Sequence, residues 1–361
     1  MSAWRACGRC LARSWLLARL DGHLERARAR NQSVLALDDQ DLIAAVAGKM
    51  ADAIRRELER FDPRRARELG SRAQLDAICG CDPAYPAGLR ELAAPPAVLY
   101  VAGGLERFLT LTGDQPVAIV GARRASPYGI DVASRLGHDL SAAGLTVVSG
   151  LAVGVDSAAH QGVLGALGRT VAVLPAGAER PYPASRRRLH QAIRATGASV
   201  SELPPASGVR KWMFPARNRI IAALSAMTIV VEAGVHSGAL VTARIALELG
   251  RELGAVPGRV TSALAAGPNG LISDGALLVR DAQDVLDGLF GAGARRAPAA
   301  SRPPLSEELR ALLAAIGEER GAAAALARVG LDVERGLVAL TELELAGYVR
   351  REAGGSWSVK A

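Results

Sequence analysis

Between residues 115 and 256, short apolar runs at 117–120, 146–149, 170–174, 199–202, 228–232 and 252–256 alternate with segments long enough to form helices. Strands joined through helices run parallel within one sheet, because a parallel pair needs a long crossover where an antiparallel pair needs only a turn. These runs lack the polar alternation of a half-exposed sheet, so helices are expected on both of its faces. Gly144, Gly168 and Gly197 stand where the intervening helices should end, as glycine tolerates the left-handed turn that closes a helix. The expected fold class is α/β, an extended Rossmann-like, doubly wound parallel sheet. With 361 residues, half of them apolar, the chain can bury a sizeable core and carry smaller domains beside it.

The flanking regions read differently. In residues 1–81, Leu42, Ile43, Val46, Ile54 and Leu58 recur at helical spacing, which predicts a small helical N-terminal domain. A connector with Pro83, Pro86, Pro95 and Pro96 spans 82–114 and includes a strand at 97–101, so the core is expected over 82–290. The run GAGARRAPAASRPP at 291–304 is a linker with too few large apolar residues for a core of its own. Beyond it, helical patterns at 305–316, 322–329 and 333–346 precede strands at 348–352 and 357–360 about a Gly354-Gly355 turn. Three helices and a hairpin predict a winged-helix-like domain over 305–361. Its third helix carries Asp332, Glu334, Glu342 and Glu344 against Arg335, a charge balance that suits protein contact better than duplex DNA.

The formal net charge is +8, and only Lys49, Lys211 and Lys360 of the 44 lysine and arginine side chains are lysine. That balance is compatible with a polyanionic partner and equally with a solvated basic surface. No run approaches the ~18 apolar residues of a membrane span, and arginines interrupt residues 1–30, so a cytoplasmic chain without a membrane partner is expected. The cysteines fall in two local pairs, Cys7 with Cys10 and Cys79 with Cys81, a pattern of reducing compartments. Cys7-Gly-Arg-Cys10 offers half of a zinc site, but a structural site takes four ligands and the other pair is spaced C-x-C, so no metal and no cofactor is expected.

In open α/β sheets ligands bind beyond the carboxyl ends of the strands. There the sequence sets Gly121-Ala-Arg123-Arg124, Ser149-Gly150-Leu-Ala152, and Glu232-Ala with Ser237-Gly238 beyond, small and cationic residues that let a phosphate approach backbone amides and helix N-termini. Asp156 is expected to cap the helix that follows it, and His160 to be a packed, structural histidine. The densest cluster is Arg210-Lys211-Trp212-Met-Phe214-Pro-Ala-Arg217-Asn218-Arg219, in a chain with 4% aromatic residues. Cations interleaved with aromatics suit single-stranded DNA, whose backbone they neutralise and whose bases they stack. The competing reading is a helix-capping loop with Trp212 or Phe214 buried. Neither a G-x-x-x-x-G-K-[ST] loop nor a G-x-G-x-x-G turn is present, which argues against ATP hydrolysis and dinucleotide chemistry.

Taken together, the segments from Val117 to Arg123 (VAIVGAR), Ser149 to His160 (SGLAVGVDSAAH), Phe214 to Ile221 (FPARNRII), Val230 to Ala233 with Ser237 to Arg244, and Ala255 to Gly258 resemble the DNA-processing protein A family, DprA or Smf. The resemblance is specific over about residues 82–280 and looser on either side. It implies a dimer formed through the Rossmann-like core, binding of single-stranded DNA, protection of incoming strands, and help in loading the RecA recombinase during natural transformation. It also implies a phosphate pocket at Arg123, Ser149 and Gly150, cationic contacts from Lys211 and Arg217, base stacking on Phe214, and lesser contacts from Asn218, Ser237 and Gly238. Val153 and the Pro175-Ala-Gly-Ala turn depart from the family pattern at the pocket rim.

Two rival functions are open on the sequence alone. The first is an enzyme related to nucleoside-monophosphate phosphoribohydrolases, whose PGG-x-GT-x-x-E motif is missing here and for which Glu232 is the only nearby carboxylate. The second is a recombination adaptor that chiefly holds a protein partner. The expected reading is a DNA-binding protein without catalysis.

Overall fold

The computed structural model describes residues 4–26, 32–297, 305–318, 321–352 and 355–359. They form two compact units, Met1–Ala297 and Pro298–Ala361. The expected boundary at residue 81 therefore lies inside the first unit. Residues 298–304 of the linker, with Gly354 and Lys360 of the hairpin, lie outside the described residues.

The first unit is built on one sheet of strands β1 (Trp4–Arg5), β2 (Asp76–Cys79), β3 (Val98–Ala102), β4 (Val117–Val120), β5 (Val147–Ser149), β6 (Thr170–Val173), β7 (Ala198–Ser201), β8 (Met227–Val230), β9 (Glu252–Ala255) and β10 (Leu277–Leu278). Their order is β1-β2-β3-β7-β6-β5-β4-β8-β9-β10. All neighbours pair in parallel except at β3, which runs antiparallel to both β2 and β7. The sheet is thus mostly parallel, with one reversed strand where the sequence pattern suggests none. Every residue of β3 to β8 is buried, as a sheet covered on both faces requires.

The helices Pro127–Ala142 and Val155–Gly165 pack closely on one another, and Gly162 permits this because a Cβ there would stand 1.8 Å from the Ser134 carbonyl oxygen. The N-terminal helices are not a separate body. Leu16, Leu17, Leu20, Leu42, Ile43 and Ile54 share a core with Leu203, Trp212, Met213 and Ala216. Helices there are legible from periodicity, but β1 and β2 are not. Two to four residues at a sheet edge leave too short a pattern to separate from the helical background.

The second unit holds helices Glu307–Glu318, Ala322–Arg328 and Val333–Leu345 and an antiparallel pair, β11 (Val349–Arg351) and β12 (Trp357–Val359). Leu312, Ile316, Leu326, Leu340, Leu343 and Val349 form its core. Among the described residues, no helix is long and apolar enough to cross a membrane.

Candidate functional site

Around β4 the strand order reverses direction: β5 and β6 lie on one side, β8 and β9 on the other. Loops leaving neighbouring strands part there in opposite directions and open a crevice at their carboxyl ends. A cleft of about 520 Å³ occupies this place. Gly121 and Arg123 reach it from β4, Ala152 and Asp156 from β5, and Ser237, Gly238, Ala239, Val241 and Thr242 from the segment after β8. Phe214, Arg217 and Asn218 close it from the Met213–Leu224 helix.

Backbone crowding explains the glycines. A Cβ on Gly121 would stand 2.9 Å from the Glu232 carbonyl oxygen, and one on Gly154, at φ +85°, would stand 2.2 Å from that of Ala122. These contacts bring the loops after β4, β5 and β8 into one rim. Leu151 is fully buried at φ +59°, a conformation unusual for a side chain-bearing residue and imposed by the packing around it.

Arg217 lies beneath the rim and is 6% exposed. Its Nη1 donates to the carbonyls of Gly150 (2.5 Å) and Val173 (2.8 Å), and its Nε donates to Asn218 Oδ1 at 3.2 Å. Asn218 Nδ2 in turn donates to the Gly238 carbonyl at 3.2 Å. One guanidinium and one amide therefore tie the ends of β5 and β6 to the helix that follows β8. Burial lowers the Arg217 pKa, the Asp156 carboxylate opposes that shift, and Arg123 adds to it. Burial likewise raises Asp156, against the opposing pull of Arg217 and the amides of Ala152 and Gly150. The Gly150 position is filled by its neighbour, since a Cβ there would meet the Arg217 guanidinium at 2.0 Å.

At the mouth, Phe214 is half-buried and stands under the Arg123 guanidinium, 4.7 Å from ring centroid to Cζ. Tyr182, 39% exposed, packs at a tilt against the same ring, its centroid 5.5 Å from that of Phe214. Sequence patterns miss Tyr182, because it lies in a proline-flanked loop far along the chain from the basic cluster and only the fold brings the two together.

The remaining expected site residues separate clearly. Ser149 is fully buried and its hydroxyl donates to the Ile119 carbonyl at 2.6 Å, so with Gly150 it supports the floor rather than lining the cleft. Lys211 is exposed and does not line the cleft. Ser237 caps the Gly238–Glu248 helix, and a Cβ added to Gly238 would meet nothing within 4 Å. Trp212 is buried against the N-terminal helices, its Nε1 donating to the Asp21 carbonyl at 3.2 Å. The capping-loop reading thus holds for Trp212, while Phe214 faces the cleft.

Asp156 differs from expectation. The helix is Val155–Gly165 with Gly154 at its N-cap, so Asp156 sits in the first turn and turns its carboxylate back to accept from the Ala152 amide at 3.4 Å. Glu232 accepts from the Ser126 amide (2.8 Å) and hydroxyl (2.6 Å), which engages both carboxylate oxygens in holding the loop after β4.

His160 is fully buried, its Nδ1 2.8 Å from Thr170 Oγ1. Burial, helped by the positive charge of Arg217, pulls its pKa down to about 3. An unfolded chain protonates this ring near pH 6.5. Between those values the unfolded state binds one more proton, so stability rises with pH across the window and is complete above it. His160→Gln is expected to flatten urea-unfolding free energy against pH there by up to about 1.4 kcal/mol per pH unit. An unchanged slope would place the acid sensitivity elsewhere.

Known proteins share this architecture and its sequence. Residues 76–290 match the family described as DNA recombination-mediator protein A, and residues 296–355 match the DprA winged helix domain. The DNA processing protein DprA of Bacillus subtilis is 36% identical over 241 residues, covering 66% of this chain and 80% of that protein. The structure of DNA processing protein A from Streptococcus pneumoniae aligns with a TM-score of 0.63 at 32% identity, covering 78% of this chain and 96% of that one. That of Helicobacter pylori, described for its single-stranded DNA binding mode, aligns with a TM-score of 0.54 at 30% identity, covering 60% of this chain and 95% of that one.

Proposed function

Because the chain belongs to the DNA recombination-mediator protein A family, we propose that its switch-point cleft binds single-stranded DNA in the service of DNA uptake and recombination. The observation that carries this reading is the Tyr182, Phe214 and Arg123 cluster at the mouth, above the buried Arg217. An aromatic face at an open rim can take a base only if that base is unstacked, which single strands offer and duplexes do not. Arg123 supplies charge for the neighbouring phosphate, and Asn218, Ser237 and Gly238 line the same cleft. Ser149 and Gly150 act from beneath, and Lys211 adds field from outside the cleft. The single-stranded binding described for the Helicobacter pylori relative supports the same ligand here.

The protein works as a binder rather than a catalyst. Glu232, the carboxylate a nucleotide hydrolase of this fold would need, already serves Ser126. In the same reading it is a cytoplasmic homodimer that protects incoming strands and delivers them to the RecA recombinase, as the family resemblance implies. The C-terminal unit meets protein in preference to duplex: Val333, Leu337 and Val338 are exposed on its third helix, and Asp332 and Arg335 are engaged in its cap and in an ion pair with Glu308.

Fluorescence anisotropy of labelled oligo-dT over a salt series tests the assignment. Tight, salt-sensitive binding that duplex does not displace, and that Arg123→Glu/Lys211→Glu loses, is the expected result. Displacement by nucleoside monophosphates would favour the enzyme, and an unaffected double variant would favour the protein adaptor.

A further inference from the structure

The two cysteine pairs, separated by about seventy residues in the chain, converge. Cys7 ends the loop after β1 and is the N-cap of the Gly8–Arg19 helix, and Cys10 lies in the first turn of that helix. Cys79 ends β2, and Cys81 follows in the turn. Pairing of Trp4 with Ala77 and Arg5 with Ile78 in the β1–β2 register sets the two loops side by side. The four Sγ atoms lie within 4.8 Å of one another, and Cys10 and Cys81 are 3.7 Å apart.

We propose that Cys7, Cys10, Cys79 and Cys81 hold a structural zinc ion that fastens the N-terminal segment to the edge of the sheet. Zinc bonded to four thiolates at about 2.3 Å makes a tetrahedron whose sulfur–sulfur edges are about 3.8 Å. The observed Cys10–Cys81 spacing is such an edge, and it is well beyond the ~2.05 Å of a disulfide. An iron–sulfur cluster interposes sulfides between several irons and needs its cysteines further apart than this set. C-x-x-C at a helix start and C-x-C at a strand end each present two sulfurs to one point, and four protein ligands close the coordination sphere, as structural rather than catalytic zinc requires.

The surroundings suit the charge. Zn²⁺ displaces four thiol protons and leaves the site with a net charge of about −2, in the balance Zn²⁺ + 4 RSH → Zn(SR)₄²⁻ + 4 H⁺. Arg9 Nη2 already donates to Cys81 Sγ at 3.8 Å, and the Cys7 amide to Cys79 Sγ at 3.4 Å. The positive end of the Gly8–Arg19 helix faces the same sulfurs. The thiol of Cys79 donates to the Arg5 carbonyl at 3.5 Å, a contact that ligation replaces with the metal bond. β1 has only two residues to pair, so a metal clip here does for the edge what strand length does elsewhere.

The test uses the full chain, purified under reducing conditions without metal-affinity steps. Plasma mass spectrometry is expected to find about one zinc per chain, reduced to a background level in Cys10→Ser and in Cys81→Ser. Stripped protein refilled with cobalt(II) is expected to show the intense visible bands and near-ultraviolet charge transfer of a tetrahedral thiolate site. Removal of zinc by a chelator is expected to lower the melting temperature, and zinc to restore it. Freshly purified wild type with four freely titrating thiols and no metal would overturn the proposal. So would iron in place of zinc, or a Cys10–Cys81 disulfide found by peptide mass analysis.

Discussion

Phe214→Ala is expected to weaken oligo-dT binding about 5- to 150-fold, equivalent to about 1–3 kcal/mol of base stacking. The melting temperature should barely move, because the ring is only half-buried at the cleft mouth. The salt dependence should also persist, since the substitution removes no charge. That separates it from Arg123→Glu, which should flatten the slope of log affinity against log salt by about 0.7 for the single phosphate left without its cation. Phe214→Tyr keeps a stacking face and should retain most of the affinity. Anisotropy titrations at several salt concentrations read all three. If Phe214→Ala binds like the wild type while Arg123→Glu fails, the cleft is an electrostatic groove without base stacking.

Arg217→Met is expected to destabilise the first unit by about 3–5 kcal/mol, because it leaves the Asp156 carboxylate buried without its compensating cation. It also strips the carbonyls of Gly150 and Val173 of their donor. At this size such a destabilisation corresponds to a melting-temperature drop on the order of 10 °C. Adding Asp156→Asn removes the stranded charge, so the double variant should be more stable than additivity predicts. Urea unfolding of the two single variants and the double variant measures the coupling. Strict additivity would mean that the two charges do not sense one another.

The contrast between these residues shows what a linear pattern can carry. The strands of the core are legible because each is buried on both faces, so uninterrupted apolar runs report them directly. Their reversal of order about β4 is a property of the whole sheet, which no local pattern encodes. Arg217 and Phe214 are three residues apart in one cluster, yet one is a buried strut and the other a rim platform. Their fates depend on which face of the Met213–Leu224 helix meets the strand ends. The preference of aspartate for caps predicts Asp156 at the helix start, but Gly154 takes that position with a positive φ that lets the loops after β4 and β5 touch. The cysteine pairs are uninformative until β1 and β2 align them, and strands that short leave almost no trace in hydropathy.

The basic segment leading to Phe214 has a fixed end. Arg210 pairs with Asp21 at 3.0 Å, the Trp212 amide donates to Glu25 at 3.0 Å, and the Trp212 ring fills the core of the N-terminal helices. On the proposed reading, a strand of DNA held by the Phe214 ring is held by an arm whose shoulder is that helical layer. Linkage would make that dependence mutual: ordering that the layer lends to the ring is expected to return, on binding, as slowed amide exchange in the layer's own helices.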